Sequence, residues 1–202
     1  MVSPRRNECE ERAFHQNLTG CPSRPRRLRR RLPAGRTMHP YPHTYVASAE
    51  GTNAGFVAVE SPQLPAIESA APPEFDGPSG VWSPETLLCA SVADCFILTF
   101  RAVARAARLE WIKLECRVEG VLERMERVSR FTKFSTFARL SVPKGVDAAK
   151  ARELLERAEQ GCLIANSLVG ARSLQTDVVI TNRSDTQEND REQETRVAEI
   201  HP

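Results

Sequence analysis

The sequence predicts an α+β fold, with a long buried central helix between an N-terminal β-hairpin and a β-sheet with a second helix. Three observations carry this reading. Residues 83–108 are a long, largely apolar run opened by Ser83-Pro84. Residues 131–142 alternate, with Thr132, Phe134, Thr136, Ala138, Leu140 and Val142 on one face and Lys133, Ser135, Arg139 and Ser141 on the other. Residues 147–159 set Ala151, Leu154, Leu155 and Ala158 on one helical stripe. The order read along the chain is β-β-α-β-β-α-α-β, which is α+β rather than α/β.

Residues 1–37 read as a disordered basic leader, with seven arginines between positions 24 and 36. Met38 precedes the first strand-like segment, and an expectation follows that Met38 is the natural start. The domain then spans 38–181. Thr44–Ala49 and Phe56–Glu60 read as a hairpin around Gly51-Thr52-Asn53-Ala54-Gly55. Residues 61–82 are rich in proline and glycine and read as an irregular connector able to fold over a site.

Ser83 suits an N-cap and Pro84 the first helical position. This helix is expected to reach Arg108, with its apolar first half buried on most sides. Trp111–Leu122 and Phe131–Val142 read as strands around a turn region at 123–130. Pro143-Lys144-Gly145 turns the chain, and Asp147 caps a helix through Glu159. Cys162 continues its stripe. Leu163–Leu168 reads as a short helix and Ser173–Ile180 as a last strand. Residues 182–202 read as a disordered polar tail.

Composition narrows the function classes. The chain has 202 residues, 41% of them apolar, and a net charge of +2. The basic residues concentrate in the leader, so nucleic acid is not the expected partner of the core. No apolar run of about 18 residues is read, so no membrane span is expected. No h-region follows the arginines, and the cytoplasm is the expected location. The four histidines (His15, His39, His43 and His201) lack the spacing of a metal helix, and no glycine-rich phosphate loop follows a strand. Neither a metal nor a resident cofactor is expected.

Six cysteines remain, none in a Cys-x-x-Cys pair. Cys95 lies inside the long helix, and Cys162 lies far downstream at the end of the second. Two distant thiols of this kind suit a nucleophile that attacks a substrate and a second thiol that closes a disulfide behind it. Cys116, and less firmly Cys89, read as small buried hydrophobes.

Residues 44–180 resemble the OsmC/Ohr family of thiol peroxidases (osmotically inducible protein C and organic hydroperoxide resistance protein). The residues that carry the resemblance are Ser83-Pro84-Glu85 with Leu87, then Cys95-Phe96 ten positions after Glu85, and Cys162 ahead of Asn166-Ser167. The resemblance implies Cys95 as peroxidatic cysteine, Cys162 as resolving cysteine and Glu85 as an orienting carboxylate. It implies an intertwined homodimer with sites at the subunit interface. The implied reaction is reduction of organic hydroperoxides, with an external dithiol such as a dihydrolipoyl group, or a lipoylated protein, as reductant. Trp82, Phe96, Phe100 and Phe75 are expected to form an apolar substrate wall. The family's arginine in the first hairpin turn is absent from 51–55, and Leu163 stands where proline often follows the second cysteine. Arg101, Arg105 or an arginine of a second subunit are the candidates to replace that cation. The alternatives are an OsmC-fold protein with little or no peroxidase activity that binds a hydrophobic ligand, or a thiol redox sensor.

Overall fold

Ser83 opens the longest element for the reason its side chain suggests. Its Oγ accepts from the Thr86 amide (3.2 Å), and its own amide donates to Thr86 Oγ1 (2.9 Å), a reciprocal cap at a helix N-terminus. Helix α1 then runs Pro84–Ala107 and ends where Arg108 turns left-handed at φ 54°. The computed structural model describes residues 39–181. The readings of a disordered leader, a start at Met38 and a polar tail lie outside the described residues. Residues 39–44 belong to a unit of their own, in which the Tyr41 and His43 rings stack at 4.6 Å.

Ahead of α1 lies a small antiparallel sheet of β1 (Ser48–Glu50), β2 (Val57–Glu60) and β3 (Ile67–Ser69), in that order. The expected hairpin is present, with Ala49 opposite Val59. Its first strand is shorter than read from the residues. The third strand and a 3-10 turn at Pro73–Phe75 lie in the stretch read as irregular. A three-residue strand borrows its order from the neighbouring ladder, not from its own pattern.

The second sheet has the order β4-β5-β6, formed by Lys113–Met125, Val128–Pro143 and Ala171–Thr181. β4 and β5 are antiparallel with a bulge at Val121/Leu122, and β5 and β6 are parallel. The turn region expected at 123–130 is instead strand almost throughout. Only Glu126 and Arg127 form the loop, both at positive φ (49° and 70°), the backbone a two-residue hairpin requires. The many charges there mimic a loop because residues 121–130 are all exposed and bury no apolar face.

Between β5 and β6 the chain crosses over through α2 (Ala148–Gly161) and α3 (Leu163–Asn166). Asp147 Oδ1 caps α2 by accepting from the Ala149 and Lys150 amides (2.8 and 3.3 Å). The α2 stripe Ala151, Leu154, Leu155 and Ala158 meets Phe96, Phe100 and Ala104 of α1 and Leu140 and Val142 of β5 in one core. Helix α1 buries one line of residues, Val92, Phe96, Phe100 and Ala104. That is less than the burial on most sides expected from its composition, because α2 and β4 cover one face and Leu98 stays half exposed. By length and composition α1 is also long and apolar enough to cross a membrane, at a mean hydropathy of 1.8, which corrects the reading that no such run exists. Its packed stripe and the exposed Asp94 fit a core helix.

Candidate active site

The site begins at a break between helices. Cys162 is both the last cap of α2 and the first cap of α3, with extended backbone (φ −68°, ψ 111°). The extended residue turns its side chain inward, and Cys162 is 1% exposed. It packs with Val92 and Ala165, and Cys95, Val118 and Leu168 close the same cluster. Cys95 comes from the middle of α1, where Thr99 Oγ1 donates to its carbonyl (2.8 Å). The Ile164 amide points at Cys95 Sγ from 3.5 Å, and Cys162 Sγ lies 4.0 Å from the Val92 carbonyl. The two cysteines read as a pair from the sequence thus share one apolar cluster, both as free thiols.

The electrostatics bear on Cys162. Burial pushes the Cys162 thiol up to about 11; the Ala165 and Ile164 amides pull it down, and the neighbouring Cys95 adds to the rise. Cys162 is therefore protonated at neutral pH and a poor first nucleophile. Cys116 on β4 is pushed up to about 12, by burial first and then by the charge on Cys162, as an inert strand cysteine should be.

Glu85 occupies a different place. It lines a cavity of about 560 Å³ with Phe75, Cys89, Val118, Leu122 and Phe131. Its Oε2 is buried and has no hydrogen-bond partner among the described residues. Cys89 sits one helical turn on, at the i+4 position that faces the same side. Its thiol is raised by burial, which a bond from the Gly120 backbone partly offsets. A Cβ at Gly120 would lie 2.9 Å from Cys89 Sγ, so only glycine lets β4 approach the helix here. Cys95 is not among the cavity's lining residues. Because α1 is unbroken from Pro84 to Ala107, ten residues separate Glu85 from Cys95 by ~15 Å along the axis. Within one chain the structure does not bring Glu85, expected as the orienting carboxylate, to Cys95.

The expected aromatic wall is likewise divided. Phe96 and Phe100 are 1% and 0% exposed in the main core, so they do not face a substrate; the i, i+4 series with Val92 and Ala104 is a packing stripe. Trp82 is half exposed, its carbonyl accepts from the Ala70 amide at the edge of β3, and it is not among the cavity's lining residues. Phe75 alone of the four lines the cavity, brought there by the connector expected to fold over a site. Cys89 and Phe131 are among the lining residues that sequence reasoning missed. The four-residue spacing of Glu85 and Cys89 was the available signal. Arg101 and Arg105 are exposed, and no ion pair to Glu85 occurs among the described residues. No cluster of metal-ligating residues occurs among them either.

Comparison with known proteins gives one consistent picture. The sequence model of the family described as OsmC-like protein matches residues 77–178. The uncharacterized protein YmaD of Bacillus subtilis is 30% identical over 114 residues, covering 54% of this chain and 75% of that protein. An organic hydroperoxide resistance protein OsmC from Legionella pneumophila superposes with a TM-score of 0.55 at 24% identity, over 68% of this chain and 98% of its own. An organic hydroperoxide resistance protein from Elizabethkingia anophelis gives 0.58 at 21%, over 70% and 99%. An OsmC-like protein of unknown function from Vibrio cholerae gives 0.59 at 16%, over 68% and 99%. At these identities the solved structures speak to the fold.

Proposed function

The chain belongs to the OsmC-like protein family, and on that basis we propose that it is a cysteine-based peroxidase that reduces organic hydroperoxides to alcohols. One observation carries the reading: Cys95 and Cys162, from elements 67 positions apart, lie in a single apolar cluster as free thiols. The Cys95 thiolate attacks the peroxide O–O bond. A sulfur–oxygen bond forms, the O–O bond breaks, and the alkoxide leaves with a proton as ROH. Cys95 is then a sulfenic acid, oxidised by the two electrons that reduced the peroxide. Cys162 attacks that sulfur, an S–S bond forms, and the hydroxyl leaves as water with the Cys162 proton. A dithiol such as a dihydrolipoyl group, free or on a lipoylated protein, reopens the disulfide by two exchanges and becomes oxidised itself. The cytoplasm supplies such dithiols.

A homodimer belongs to the proposal. The half-exposed side of α1 and the small β1–β3 sheet leave apolar surface open, with Phe56, Leu64 and Leu98 exposed. Glu85 Oε2 has no donor among the described residues. A guanidinium from a second subunit would satisfy it. The second reading, an apolar-ligand carrier with little peroxidase activity, is favoured by a cavity at Phe75 and Phe131 that does not include Cys95. Turnover of cumene hydroperoxide with dihydrolipoamide separates the two readings. Steady consumption is the expected result; no consumption, with an apolar ligand bound in native mass spectrometry, contradicts it.

The raised Cys162 pKa adds a pH signature. Its thiolate fraction grows as pH rises toward about 11, so disulfide closure after oxidation of Cys95 should speed up roughly tenfold per unit between pH 7 and 9. Stopped-flow fluorescence after one equivalent of peroxide reads this step. A rate flat with pH would mean that Cys162 is not the attacking group.

A further inference from the structure

We propose that Arg172 is a positioning residue that clamps the corner carrying Cys162 and so sets its reach toward Cys95; the redox part of this rests on the peroxidase reading. Cys162 is a one-residue joint between α2 and α3, held by two backbone bonds: its amide to the Glu159 carbonyl (3.2 Å) and the Asn166 amide to its own carbonyl (2.9 Å). A single non-helical residue between two helices can swing. Arg172 spans the joint from outside. Its Nη1 donates to Asn166 Oδ1 on the α3 side (2.6 Å), and its Nε faces Glu159 Oε1 on the α2 side (3.4 Å). Asn166 Nδ2 completes the ring by donating to the Gln160 carbonyl (2.9 Å).

The clamp is anchored in the sheet. Arg172 is the second residue of β6, opposite Phe134 of β5, which is 3% exposed. The same corner places the Ile164 amide 3.5 Å from Cys95 Sγ. Fixing the corner therefore fixes both contacts to Cys95, the amide and the second thiol. Disulfide closure demands an S–S distance of ~2.05 Å and a narrow torsion, so a corner free to swing loses effective concentration. A guanidinium suits this task because its planar fork reaches two acceptors at once.

Two measurements on the full-length chain test the clamp. In the reduced protein, Cys162 alkylation by iodoacetamide should rise about tenfold in Arg172→Ala, the effect of losing ~1.4 kcal/mol of charge-assisted bonding. Cys116 alkylation should not change. In glutathione redox buffers the Cys95–Cys162 disulfide, read by peptide mass mapping, should be about tenfold less favoured in Arg172→Ala. Arg172→Lys should recover part of both effects, and Arg139→Ala, which removes the ion pair to Asp177 on the same sheet, should show neither. If Arg172→Ala does not fold, Asn166→Ala opens the clamp without touching β6. Unchanged Cys162 alkylation, or a parallel rise at Cys116 from general loosening, overturns the inference. A wild-type chain that forms no Cys95–Cys162 bond overturns the peroxidase reading, and alkylation alone then decides whether Arg172 holds the corner.

Discussion

Cys95→Ser is expected to lower the rate of cumene hydroperoxide reduction by roughly ten-thousandfold, to near the uncatalysed background. The reason is that the proposed step needs sulfur as its nucleophile. A thiolate attacks the O–O bond, whereas a serine hydroxyl stays protonated at neutral pH and is a far weaker nucleophile. Cys162→Ser should behave differently. Its first turnover should run at the wild-type rate, because Cys162 enters only after Cys95 is oxidised. Later turnovers should fail, with Cys95 moving on to sulfinic acid as peroxide is added. Cys116→Ala is the control, since Cys116 is half-buried on β4 with its thiol pushed up to about 12. Stopped-flow measurement of all three variants checks the scheme. More than a tenth of the wild-type rate in Cys95→Ser would remove Cys95 from the mechanism.

Phe100→Ala is expected to lower stability by ~3–5 kcal/mol, a large share of what a domain of this size holds. Phe100 is 0% exposed and meets Trp111 edge-on at 5.4 Å between ring centroids. It joins α1 to the Leu154–Leu155 stripe of α2 and to Leu140 of β5. Close-packed neighbours relax only partly into such a space, so a cavity remains. Urea unfolding should show a lower midpoint at constant m, and the thermal midpoint should drop by roughly 10 °C or more. A loss under 1 kcal/mol would place Phe100 outside the core. It would then return as a candidate for the substrate wall.

The elements with strong local signals were legible in the sequence. Ser83-Pro84 and Asp147 marked two helix starts within a residue, because caps act on the first turn alone. The alternation at 131–142 marked β5, because one face is buried against the helices. The outer half of the β4–β5 hairpin was illegible, since a ribbon exposed on both faces carries no pattern. β3 was illegible because three residues in a proline-rich stretch owe their order to β2.

The site divides along the same line. That Cys95 and Cys162 meet in one cluster was readable from their places on two helices and from the resemblance. Phe96 and Phe100 were misassigned because an aromatic residue beside a nucleophile suggests a wall, while their spacing with Val92 and Ala104 marks the core. Of the Glu85–Cys89 cavity only the helix side was legible, in the four-residue spacing of those two residues, because the opposite wall needs Gly120 and Phe131 from the sheet. The Arg172 clamp depends on the parallel placement of β6 beside β5, which periodicity does not reveal.

Peptide mass mapping after a single equivalent of cumene hydroperoxide is the most direct test that the two thiols of α1 and the α2–α3 corner work as a pair. The expected product is one linked peptide pair joining Cys95 to Cys162, with Cys89 and Cys116 still reduced. Oxidation that settles on Cys89, or a Cys95 sulfenic acid that persists while Cys162 stays free, would contradict it.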